Sequence, residues 1–143
     1  WRERFWNEVK DSLDTSRVHF LGSVPHPVLH ALLSVSRCHV YLTVPFVLSW
    51  SMLEAMAFGC LVLGSRTPPV EEVIRHRENG LLTDFFDAGA LAERAIEVLR
   101  DREAFDPLRR AARETVRELY DLKRVCLPAQ LSLVDTLRRA AAP

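Results

Sequence analysis

Glu54 is the only acidic residue between Asp14 and Glu71. It lies in an apolar run, Val44 to Leu63, whose only other ionisable side chain is Cys60. A carboxylate among Leu48, Trp50, Met52, Leu53, Ala55, Met56 and Phe58 loses hydration, at a cost of several kcal/mol unless hydrogen bonds replace it. Two readings stand side by side. Glu54 is a ligand-holding group, or it is a helix carboxylate that faces solvent or pairs with a basic residue such as Arg66.

The other chemistry-bearing residues are weaker candidates. Cys38, Cys60 and Cys126 are odd in number, show no C-x-x-C pairing and sit beside apolar residues, which suits reduced core thiols in a cytoplasmic protein. Cys60 as a nucleophile is the rarer alternative to a free core cysteine. His19, His26, His30 and His39 match no zinc-ligand spacing, so no metal site is expected and the histidines read as structural or surface groups. His26 flanks the loop Gly22 to Pro25. Arg66 either meets phosphate or neutralises Glu71 or Glu72. The stretch from Arg100 to Arg117, interleaved with acids, reads as a solvated helix face.

Positioning these groups falls to a chain of 143 residues, which fits one domain over 1–143 with a real core. Lys plus Arg number 19 and Asp plus Glu number 19, so net charge selects neither nucleic acid nor an anionic membrane. The stretch Cys38 to Leu53, free of Asp, Glu, Lys and Arg, contains a His, a Thr, two Ser and a Pro and falls short of the roughly 20 apolar residues of a transmembrane span. No signal peptide is expected at Trp1.

Short apolar runs alternate with amphipathic helices. Phe5, Trp6, Val9 and Leu13 share a helical face, and a β-type run Val18 to Leu21 ends at Gly22. Pro27 suits the first turn of a helix carrying Val28, Leu29, Leu32 and Leu33. Val40 to Val44 reads as a second strand ending at Pro45, after which Ser49 or Ser51 caps a helix running to about Phe58 and stopped by Gly59. Leu61 to Leu63 reads as a third strand and Val70 to Arg75 as a short helix. A fourth strand, Gly80 to Thr83, enters through an Asn79-Gly80 turn. From Asp87 the pattern is helical, with Leu91, Ala95, Ile96 and Leu99, then Leu108, Ala112, Val116 and Leu119, then Val125, Leu127, Leu131 and Val134 on apolar faces. Continuous apolar strands joined by helices require a sheet covered on both faces, so the expected fold is α/β, a Rossmann-like doubly wound parallel sheet with C-terminal helices.

In such a sheet the ligand lies beyond the carboxyl ends of the strands. Three loops gather there: Gly22 to Pro25, Pro45 to Ser49 and Ser65 to Pro69. The second opens a helix whose first free amides, around Ser49 to Met52, are suited to a phosphate, and Glu54 lies about one turn in. An anion at the amides and hydroxyls at the carboxylate would describe a ribose and its phosphates.

Four segments in order carry a family resemblance: Val18-His19-Phe20-Leu21-Gly22-Ser23-Val24-Pro25; Ser49 through Cys60; Pro69-Val70-Glu71-Glu72-Val73-Ile74; and Glu78-Asn79-Gly80-Leu81-Leu82. Together they resemble the C-terminal domain of family 4 glycosyltransferases, retaining enzymes of the GT-B fold, over roughly residues 18 to 100. The resemblance implies a sugar-nucleotide substrate (a UDP-, GDP- or ADP-sugar), hexosyl transfer to an unnamed acceptor and no metal or other cofactor. Glu54 matches the second glutamate of the family's E-x7-E motif, which accepts hydrogen bonds from ribose hydroxyls, charge-assisted bonds worth about 1.5–3 kcal/mol each. Ser23 and Val24 match the loop along the base, Leu48, Ser49 and Trp50 the start of the helix facing diphosphate and sugar, and Thr67 with Pro68 and Pro69 a segment usually rich in glycine. Glu72 matches an acid of the following short helix, where a helix-dipole role is expected.

Departures from the family pattern are specific. Phe46 stands where counting eight back from Glu54 places the first glutamate, which in the family contacts the donor sugar. Leu48-Ser49 replaces a Phe-Gly step, and Pro68-Pro69 a glycine pair, removing backbone donors. The family domain begins with a strand, a glycine turn and a basic pair that do not precede Trp1. The expectation is therefore an N-terminally incomplete domain, inactive alone, whose partner would be an N-terminal GT-B domain. Trp1 and Trp6 would then mark a covered surface or an oligomer contact. Phe46 also favours an alternative, a catalytically inactive nucleotide- or partner-binding module on the same fold. A receiver-type signalling domain would need acids at strand ends, which the acid-free stretch Thr15 to Leu53 denies.

Overall fold

The computed structural model describes residues 2–44, 46–101 and 103–141; Trp1 and Pro45 fall outside them. Helices α1 (Arg2–Val9) and α2 (His26–Val35) lead into strand β1 (Cys38–Tyr41), then α3 (Trp50–Ala57), β2 (Leu61–Ser65), the short α4 (Pro68–Glu71) and β3 (Leu81–Thr83). Helices α5 (Ala88–Arg100), α6 (Asp106–Leu119) and α7 (Leu127–Ala140) follow. The sheet is parallel throughout, in the order β1-β2-β3, with Cys38 opposite Leu61 and Leu63 opposite Leu81.

Every residue of β2 is buried, and its alternating side chains feed two cores, as a strand period of two demands. Val62 packs with Met52, Ala55, Met56, Val70 and Ile74 on one face. Leu61 and Leu63 pack with Leu81, Val98 and Phe105 on the other. Helices thus cover both faces, as the continuous apolar strands required.

Local chemistry sets the helix ends. Pro27 occupies the first turn of α2. Ser49 caps α3, and Gly59, at φ 73°, closes it. The Gly59 N–H donates to Met56 O at 3.0 Å and the Cys60 N–H to Ala55 O at 2.9 Å, the pair of bonds of a left-handed C-terminal cap that favours glycine. Asp87 caps α5 through the Ala90 N–H at 2.8 Å.

Several expectations are corrected. Val18 to Leu21 forms no ladder with any strand among the described residues, and Phe20 and Leu21 are exposed. An extended apolar run becomes a strand only when a neighbour takes its backbone bonds, so the described sheet has three strands, not four. The Asn79-Gly80 step is not the left-handed turn: that conformation falls on Arg77, at φ 62°. Gly80 is required by space instead, since a Cβ there would meet Ile74 Cγ2 at 2.8 Å. On α5 the buried residue is Val98, while Ile96 and Leu99 are exposed. Helix α7 buries no residue; Leu131 and Val134 lie on its open surface. No helix among the described residues is long and apolar enough to cross a membrane.

Candidate functional site

The carboxyl ends of β1 and β2 are tied together before the chain enters α3. Ser65 Oγ donates to Thr43 O at 3.1 Å and accepts from the Thr43 N–H at 3.2 Å, so the loop leaves β1 along a fixed path. Tyr41, buried at the end of β1, then accepts the Ser49 N–H on its hydroxyl at 2.9 Å. This bond sets the first residue of the helix mouth. Sequence reasoning did not single out Tyr41; an aromatic residue ending a strand eight positions before a cap was the available signal.

The amides at the mouth are less free than the sequence suggested. Ser49 N–H is held by Tyr41, Ser51 N–H by the Ser49 hydroxyl at 3.3 Å, and Met52 N–H by Ser49 O at 3.2 Å. Trp50 N–H has no partner among the described residues, and its indole is 81% exposed. Internal capping thus satisfies most of the orphan donors that a helix start leaves.

Glu54 lies one turn inside α3, with its side chain 27% exposed. Met52, Ala55 and Met56, its neighbours in sequence, are fully buried and turn away from it. Its neighbours are two histidines of α2, with His30 Nε2 at 3.8 Å and His26 Nδ1 at 4.0 Å from Glu54 Oε1. The His30 ring stacks on Phe58 at 4.6 Å between centroids. Arg66 is not the partner; its guanidinium bonds Glu71 at 3.0 Å, as the salt-bridge reading of that residue held. The exposed Ser23 and half-buried Val24 lie in the segment leading straight to His26, so the first loop reaches Glu54 through the start of α2.

A cavity of about 520 Å³, lined by Phe46, Val47, Leu48, Pro69 and Glu72, opens between the β1–α3 loop and α4. Its size falls in the range of small-molecule sites. Phe46 is 75% exposed, and the acid at this cavity is Glu72. Thr67, by contrast, is buried as the N-terminal cap residue of α4. Its hydroxyl and that of Thr83, which ends β3, are buried without a hydrogen-bond partner. Unpaired buried hydroxyls are uncommon, and both of these are at the carboxyl side of the sheet.

The cysteines take no part. Burial pushes the Cys38 thiol up to about 11. Burial, with Cys38 nearby and Arg109 opposing, puts Cys60 at about 11 as well. Both are protonated thiols at neutral pH, which removes the nucleophile reading.

Residues 2–118 match the family described as "Glycosyl transferases group 1". The chain belongs to this family. A glycosyl transferase relative, N-acetyl-alpha-D-glucosaminyl L-malate synthase of Bacillus anthracis, is 31% identical over 130 residues, covering 91% of this chain and 34% of its own. Among solved structures, sucrose-phosphate synthase of Thermosynechococcus elongatus superposes with a TM-score of 0.82 at 28% identity, over 99% of this chain and 35% of that one. Anabaena HepE in complex with UDP superposes at 0.81 with 19% identity, over 97% and 37% of the two chains, and shares the fold. The chain therefore spans about a third of the length of these relatives. Within the group 1 glycosyl transferases, it corresponds to a C-terminal domain of the GT-B fold.

Proposed function

We propose that this domain holds the sugar-nucleotide donor of a glycosyltransferase, in a protein that also carries a complementary acceptor-binding domain. The observation that carries the reading is the placement of Glu54 one turn behind the α3 mouth, near the segment that follows Ser23 and Val24. Glu54 accepts the ribose hydroxyls, Ser23 and Val24 run along the base, and Trp50 N–H with the α3 dipole faces the diphosphate. The cavity at Phe46, Leu48 and Glu72 takes the sugar. Departure of the nucleoside diphosphate is assisted by donors aimed at the charge it gains. A retained anomeric configuration and a hexose as the transferred sugar belong to the same proposal, and no metal is assigned a role in transfer.

UDP is the first nucleotide to test, because HepE is bound to UDP. Calorimetric titration of UDP, GDP and ADP and their hexose forms, against the protein carrying both domains, tests the reading. Binding of one series, lost in Glu54→Ala, supports it. Absence of all binding, or an unchanged affinity in Glu54→Ala, would sink it. A second reading, a binding module without turnover, is favoured by one observation: an exposed Phe46 at the cavity in the place of the motif acid. Tight donor binding with neither transfer nor donor hydrolysis would select it.

A further inference from the structure

We propose that His26, His30 and Glu54 form a binding site for a divalent transition-metal ion of the zinc class, bridging α2 and α3. One ligand atom from each of the three residues lies within 4.8 Å of the others. His26 and His30 are four residues apart on α2, which places both rings on one helix face, and α3 supplies the carboxylate.

The distances argue for an ion rather than for direct pairing. At 3.8 and 4.0 Å, the imidazole nitrogens are too far from Glu54 Oε1 for a hydrogen bond. None of the three side chains has a hydrogen-bond partner among the described residues. Nitrogen and oxygen ligands at about 2.0–2.2 Å in tetrahedral geometry lie about 3.4 Å from one another. Contraction of the two Glu54–His separations by about half an ångström, and of the widest pair by no more than about 1.4 Å, closes the set through side-chain rotation. Phe58, stacked on His30, already holds that ring.

The donor chemistry selects the ion. Two imidazoles and one carboxylate suit zinc, cobalt, nickel or copper, whereas magnesium and calcium prefer all-oxygen sites. The thiols do not compete: Cys60 is buried, and both Cys38 and Cys60 are held in the protonated form. His26 is 75% exposed, so the fourth coordination position faces solvent. The two histidines stand four apart on α2, but the sequence gave no sign of the carboxylate, which arrives from another helix.

The proposal does not rest on the donor-site reading, in which ribose hydroxyls meet the same Glu54 carboxylate, so it is tested in the absence of nucleotide. Its test is a titration of the metal-free, tag-free chain with Co²⁺, followed by visible absorption, and with Zn²⁺, followed by calorimetry. The expected result is one ion per chain, a d–d spectrum without a thiolate charge-transfer band, and affinity reduced by at least about tenfold in His26→Ala and in Glu54→Gln, since losing even a residue that only supports a ligand costs that much. Circular dichroism checks the fold of each variant, and the exposed His26 gives the variant least able to disturb it. No stoichiometric binding, a thiolate band, or equal affinity in a folded His26→Ala overturns the proposal.

Discussion

Asn79, in a polar turn, and Glu54, in an apolar run, are treated by the chain in opposite ways. Asn79 is 1% exposed; it accepts from the Arg75 N–H at 2.7 Å and donates to Val73 O at 3.0 Å and Thr115 Oγ1 at 3.1 Å. It stitches the turn before β3 to α6. Glu54 is partly open and makes only long approaches to two histidines. A satisfied buried amide is an internal staple; a carboxylate held at a helix mouth without hydrogen bonds is suited to something that arrives from outside. The staple lies against the segment before β3, and the partly open carboxylate stands on α3.

The strongest way to break this contrast is Asn79→Ala. It strands a part-buried N–H and a buried carbonyl, so urea unfolding should show a loss of about 2–4 kcal/mol, with nucleotide affinity retained wherever the variant is folded. A loss under about 1 kcal/mol would remove the staple. Glu54→Ala should do the reverse: an affinity drop on the order of a hundredfold for the preferred nucleoside diphosphate, from two charge-assisted bonds, with stability changed by less than about 0.5 kcal/mol. Equal losses in both quantities would erase the distinction between the two regions.

Tyr41→Phe sits between the two. Removing the acceptor of the Ser49 N–H should cost about 1 kcal/mol of stability and weaken nucleotide binding several-fold by loosening the start of α3. A stability loss with unchanged affinity would assign Tyr41 to the core alone. The smallest effect concerns pH. His76 Nδ1 accepts the Leu82 N–H at 2.9 Å, and burial, aided by Arg66, Arg77 and Arg94, lowers its affinity for a proton. The neutral ring is thus favoured by folding. Its contribution is complete above the ordinary histidine value of about 6.5 and is lost as pH falls through the lower folded value. Unfolding free energy should decline from pH 7 towards pH 5, and His76→Asn should flatten the decline. Burial lowers His39 in the same direction, so some slope should persist; an unchanged slope in the variant would exclude His76.

The sheet-forming runs and the main helices were legible because apolar period and caps agree locally. Ser49 before α3 and Gly59 after it mark that helix without any tertiary knowledge. Val18 to Leu21 misled for the converse reason: apolar extended sequence carries no record of whether a neighbouring strand exists. At the site, Glu54 was legible as an isolated acid and as a motif position. Tyr41 and His30 were not, and His26 only as a residue flanking the first loop, because their relation to the α3 mouth arises from a strand end and from a second helix brought against α3 by packing. The free-amide expectation at Ser49 to Met52 holds only at Trp50, since a hydroxyl from β1 and the hydroxyl and carbonyl of Ser49 claim the other three donors.

Strand β1 pairs only with β2 among the described residues, and Val40 and Leu42 beside its other edge are half exposed. From Cys38 to Leu53 there is no charged residue, so this edge lacks the lysines, acids or bulges with which proteins usually discourage strand addition. Whatever covers that edge acts as its gatekeeper. Produced without a cover, these residues should lose solubility with rising concentration, and a single Lys at Val40 should restore it.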